Sequence, residues 1–135
     1  MTAWETYEKT MVVPTSLWSA AKENDVAQIA SLLADGLDID ERDHRGYSPL
    51  MLAAYAGNAA AFEYLLAHGA DPNSNDLAGN TVLMGAAFKG QIDFTTKLLA
   101  AGADRSAKNA SGLDARAFAL TFGRIEVVEL FDRTA

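Results

Sequence analysis

Cysteine is absent from this 135-residue chain, so neither a disulfide nor a thiolate metal site can form. That leaves the redox compartment open, and the cytoplasm is the default expectation. No apolar run approaches the roughly 20 residues that a membrane-spanning helix needs. The N-terminus, MTAWETYEKTMVVP, has no basic start followed by an apolar stretch, so no secretory leader is expected. Positive charge is scarce, with 11 basic residues against 18 acidic ones and a net charge of −7. A nucleic-acid surface needs a positive footprint to displace counterions from phosphates, and the chain offers none. The patterns HExxH, GxSxG, Walker A and GxGxxG are missing. The expectation is a non-enzyme with no catalytic residue, no metal and no cofactor, and with no nucleic-acid or membrane partner.

What is present is periodic glycine. Gly46, Gly79 and Gly112 stand 33 residues apart. Gly57, Gly90 and Gly123 keep the interval, as do Gly36, Gly69 and Gly102. Composition alone cannot produce this in a chain with only ten glycines. A period of 33 fits a unit built of a turn and two antiparallel helices. Such units stack into a quasi-one-dimensional solenoid that presents an extended binding surface.

Alignment at this period gives one domain over 1–135: a segment 1–9, then units at about 10–42, 43–75, 76–108 and 109–135. Eight helices are predicted, at about 15–23, 26–34, 48–56, 59–67, 81–89, 92–100, 114–122 and 125–133. Gly46, Gly79 and Gly112 fall in turns beside Asp43, Asp76 and Asn109, where a positive φ is expected. Thr15, Ser48, Thr81 and Asp114 are expected N-caps, and Pro49 suits a first helical position. The pairs Ala20/Ala21, Ala53/Ala54 and Ala86/Ala87 allow close helix approach. Gly57, Gly90 and Gly123 end the inner helices, with Asn24 in the same role in the first unit. The outer helices carry the apolar columns Val26/Ala59/Ile92/Ile125, Ile29/Phe62/Thr95/Val128, Leu32/Leu65/Leu98/Phe131 and Leu33/Leu66/Leu99, which are expected to share a buried face.

The run DxxGYSPLMLAAYAGN…YLLAHGADPN resembles the ankyrin repeat, whose hallmark reads approximately DxxGxTPLHxAAxxGHxxxVxxLLxxGADxN. The resemblance covers about residues 15–133 and is strongest in the second and third units. It implies an all-α solenoid of four stacked helix pairs, joined by β-turn fingers and acting in protein–protein recognition. The motif histidine is absent, its column being held by Trp18, Met51, Met84 and Ala117. Apolar packing is expected to replace the hydroxyl–imidazole bond, and Trp18 is expected to pack on the core and the N-terminal segment. Arg116 stands in the column of Leu17, Leu50 and Leu83, and Asp132 in that of Leu33, Leu66 and Leu99. Unpaired burial of either would be expensive, so that face is expected to meet water. Together with Gln28 and Ser31 on the first outer helix, these breaks make the first and last units caps, and a complete chain is expected.

In this architecture recognition falls on the fingers and the exposed ends of the inner helices. The candidate contact residues are His44, Arg45, Tyr47, Leu77, Asn80 and Leu113 on fingers, and Tyr55, Phe88, Lys89 and Phe122 at helix ends. Tyr55, Phe88 and Phe122 recur at or one residue from one position in successive units, where large aromatics are uncommon. They are expected to bind a partner, with Tyr55→Ala plus Phe88→Ala abolishing capture at little cost in stability. Two other arrangements stay open: the rings stack on each other, or residues 1–13, with Trp4 and Tyr7, cover them. His68 is expected to cap its helix end rather than react. The acidic stretch Asp38, Asp40, Glu41 and Asp43 is expected to be a solvated loop, or a landing strip for a basic partner. The Asp38/Asp71/Asp104 column follows from loop geometry. Two functions remain: an adaptor or scaffold, or an inhibitor or immunity partner of one enzyme. A monomer is expected.

Overall fold

The computed structural model describes residues 16–134. These residues form eight helices in pairs: α1 Leu17–Lys22 and α2 Val26–Ala34, α3 Pro49–Ala56 and α4 Ala59–Ala67, α5 Val82–Lys89 and α6 Ile92–Ala100, and α7 Ala115–Thr121 and α8 Ile125–Arg133. The only ladder pairing among the described residues is an isolated bridge between Asn75 and Thr81. The inner helices α1, α3, α5 and α7 pack in sequence against one another. Each outer helix packs on its own inner helix. The all-α solenoid expected from the periodicity is thus observed.

Local chemistry sets these boundaries. Ser48, Thr81 and Asp114 accept the N3 amides of α3, α5 and α7, removing one free donor from each helix start. For α1 this role falls to Ser16, which accepts from Ser19 at 3.1 Å, and Thr15 lies outside the described residues. Asn24 takes the left-handed conformation (φ 57°) that Gly57, Gly90 and Gly123 take at the later inner-helix ends. The thioether of Met84 also takes over part of the missing histidine's work. Its sulfur accepts the Thr81 amide at 3.3 Å while Thr81 Oγ1 accepts the Met84 amide at 3.2 Å. Met51 and Met84 are buried, so packing and a weak bond together replace the hydroxyl–imidazole contact.

The inner-helix alanine pairs are fully buried, as their small size requires for close backbone approach. The buried outer-helix stripe differs in two columns from expectation, and in one of them Leu33, Leu66 and Leu99 are only half-buried against the core. In the other, Ala59 and Ile125 are exposed, and Val26 and Ile92 are only half-buried, because these residues open their helices at the edge of the stack. Ala61, Phe94 and Val127, two residues further on, take the buried place beside Phe62, Thr95 and Val128. The rings of Phe62 and Phe94 stack across repeats at 4.2 Å. Each such fully buried side chain contributes about 2 kcal/mol. Thr95 is buried without penalty because its hydroxyl donates to the Gln91 carbonyl oxygen at 2.8 Å.

Side chains at the outer-helix entrances tie the repeats together. Asn58 donates to the carbonyl oxygens of Ala21 and Lys22, both at 2.8 Å. Gln91 donates to Ala54 at 3.0 Å, and Arg124 to Phe88 at 2.8 Å. Each therefore satisfies orphan carbonyls at the end of the preceding repeat's inner helix instead of capping its own. Trp18 is half-buried on the core, and its indole N–H donates to the Glu41 carbonyl oxygen at 2.6 Å. Any contact it makes with residues 1–15 lies outside the described residues. His68 closes α4: Nδ1 sits 2.8 Å from the Tyr64 carbonyl oxygen and the ring stacks on Tyr64 at 3.9 Å.

Candidate functional site

The three fingers share one geometry. Asp43, Asp76 and Asn109 each accept two backbone amides through Oδ1, from the residues two and four positions on. A glycine then returns an amide to the same residue's carbonyl oxygen at 2.9–3.0 Å. The glycine has a second duty beyond its positive φ. A Cβ on Gly46 would lie 2.9 Å from the Leu77 amide nitrogen, so only glycine lets the next finger come this close. Asn109 donates through Nδ2 to Asn80 Oδ1 at 2.8 Å, and the Ala110 amide donates to Ala78 at 2.9 Å. The fingers thus form one connected edge.

His44 and Arg45 are exposed at the first finger tip. The Arg45 guanidinium lies over the Tyr47 ring at 4.6 Å and pairs with Asp43 at 3.4 Å. Burial raises the Asp43 pKa, but the Tyr47 and Arg45 amides and the Arg45 guanidinium outweigh it and hold the carboxyl below its ordinary value. Leu77 is 79% exposed at the second finger tip. Leu113 is half-buried on the third, and Asn80 is engaged between fingers rather than free.

The aromatic column divides in two. Phe88 (39% exposed) and Phe122 (50% exposed) meet edge to face at 4.6 Å, with Phe118 stacked on Phe122 at 6.3 Å. Tyr55 is instead half-buried, edge-on to Tyr47 at 5.9 Å. Burial first, then the Asp76 carboxylate and Tyr47, push its phenol above the ordinary value, so it stays a neutral donor across physiological pH. Mutual stacking is therefore real. Coverage by residues 1–13 lies outside the described residues.

Gly85, which the sequence reading passed over, explains where Tyr55 lies. It stands inside α5, where the neighbouring repeats have Leu52 and Phe118. A Cβ there would come 2.0 Å from Tyr55 Cε1. The missing side chain lets the tyrosine ring lie down on α5. A groove of roughly 400 Å³ results, lined by Tyr47, Tyr55, Asp76, Met84, Phe88 and Phe118 among others. The signal was available: this is the one glycine that belongs to none of the three columns. Lys89 lies at the groove edge, its ammonium on the Tyr55 carbonyl oxygen. Among the described residues no group of three or more His, Asp or Glu side chains is placed to hold a metal ion. No helix of the described residues is long and apolar enough to cross a membrane.

Stacked helix pairs with connected fingers and a shallow apolar groove along the inner helices define a repeat protein of the interaction class. A family model described as ankyrin repeats (3 copies) matches residues 10–76, and one described as ankyrin repeat matches residues 78–110. The chain belongs to the ankyrin repeat family, whose members are general protein–protein interaction modules. The pair α7–α8 falls wholly beyond these matches, in keeping with its altered columns. No curated protein matches the chain.

Proposed function

We propose that this protein is an adaptor or scaffold that holds a partner protein on the face built by its fingers and inner helices. The binding centre is the aromatic groove around Tyr47, Tyr55, Phe88 and Phe122. Lys89, His44, Arg45, Leu77, Asn80 and Leu113 lie on its rim or on the flanking fingers. The observation that carries this reading is the exposed Phe88–Phe122 pair beside a groove that Gly85 leaves open. Aromatic anchors beside a concavity are the side chains that dominate binding energies. The acidic balance of the chain suits a partner that is not itself acidic.

Tyr55 is half-buried against the core, so the Tyr55→Ala, Phe88→Ala pair would disturb packing as well as binding. Phe88→Ala with Phe122→Ala removes two exposed rings instead. A photo-crosslinking residue at Leu77 is expected to label a partner that one at the outer-helix residue Ala67 does not. The double variant is expected to abolish that labelling while retaining a wild-type helical spectrum. Equal labelling from both faces sinks the proposal.

A further inference from the structure

Resting on that reading, we infer that the groove recognises a cationic side chain, lysine or arginine, presented by a basic segment of the partner. Its walls are π faces and edges from Tyr47, Tyr55, Phe88 and Phe118, over a floor opened by Gly85. Rings of this kind attract an ammonium or guanidinium through their quadrupoles, and most strongly where water is displaced. Tyr47 already does so within the molecule, with the Arg45 guanidinium 4.6 Å from its centroid.

The groove lining holds one carboxylate, Asp76, and one ammonium, Lys89. Asp76 Oδ2 accepts one bond, from Asn80 Nδ2 at 3.3 Å. The Tyr55 hydroxyl, close enough to Asp76 to feel its charge, makes no hydrogen bond to any described residue. A cation whose stem lies along Phe88 and Phe118 can therefore place its head between a carboxylate and a phenol oxygen. The Lys89 ammonium is tethered at the groove edge on the Tyr55 carbonyl oxygen. An uncharged apolar anchor would leave Asp76 facing hydrocarbon, and an acidic one would face Asp76 directly. The net charge of −7 draws a basic segment to the chain from further off.

Asp76→Asn isolates the charge. Asn109 makes the same two amide bonds in the third finger that Asp76 makes in the second, so the turn survives the exchange. The test selects binders to the 135-residue chain from a randomised nine-residue peptide library. The best peptide is then compared by fluorescence anisotropy with its counterpart carrying norleucine at the selected cation. Lysine or arginine is expected to dominate one position, and norleucine there is expected to weaken binding about tenfold. On Asp76→Asn the two peptides are expected to bind within about twofold of each other. Dominance of apolar or acidic residues, or equal binding of the norleucine peptide to the wild type, overturns the cation assignment and leaves the groove reading standing. If no selected peptide loses affinity for the Phe88→Ala, Phe122→Ala variant, the groove reading falls and the cation assignment with it.

Discussion

Arg116 and Asp132 hold each other in a two-bond ion pair, Nε to Oδ1 at 2.8 Å and Nη2 to Oδ2 at 3.2 Å. Each replaces a leucine of the repeat pattern, and the two breaks meet on one exposed face of the α7–α8 pair. The hydrogen bond to Asp132 raises the Arg116 pKa, and the bond from Arg116 lowers that of Asp132. Fully exposed pairs contribute little to stability, so the value of this one lies in keeping the face polar. Arg116→Leu is expected to leave unfolding almost unchanged and to raise self-association, since exposed Leu120 lies on the same helix. Sedimentation velocity across a concentration series checks this; identical profiles for variant and wild type refute it.

Asn58 carries more energy than its half-exposed position suggests. It satisfies two carbonyl oxygens at the end of α1 from the start of α4. Asn58→Ala is expected to cost about 1–2 kcal/mol in urea unfolding. A loss below about 0.3 kcal/mol would mean that solvent replaces both bonds at no cost.

Gly85→Ala tests the shape of the groove. Alanine favours the helix by about 1 kcal/mol, yet its Cβ needs the space that Tyr55 occupies. The ring must swing off α5, losing packing of comparable size. Stability is expected to stay within about 1 kcal/mol of wild type, while the tyrosine near-ultraviolet signal and partner binding both change. Unaltered partner binding would separate Gly85 from recognition.

Asp43 ties stability to pH. Its pKa is lower folded than unfolded, so its contribution is present above the ordinary carboxylate value and fades as pH falls through the folded one. Asp43→Asn keeps the turn, as Asn109 does, but removes the titration. The stability gap between wild type and variant is expected to narrow as pH falls from neutral into and below the ordinary carboxylate range. A constant gap across that range excludes the linkage.

Much of this molecule was legible as spacing. Ser48, Thr81 and Asp114 capped the predicted helices, Asn24 took the left-handed turn, and Leu32, Leu65 and Leu98 were buried. These depend on interactions within a few residues, or on a repeat that multiplies one local pattern. The Val26 column misled because helical period alone does not say which residue meets the edge of the stack.

The sequence by itself determined the repeat length, the helix pairs and the interaction class, because backbone capping and apolar periodicity act locally and recur. Only the tertiary structure decided how residues far apart in the chain meet, within a helix pair or between repeats. It brought Arg116 to Asp132, set Asn58 on the preceding helix end, and laid Tyr55 into the space above Gly85. Those contacts span 16 to 37 residues of chain, and their geometry is fixed by how helices pack within a pair and from one pair to the next.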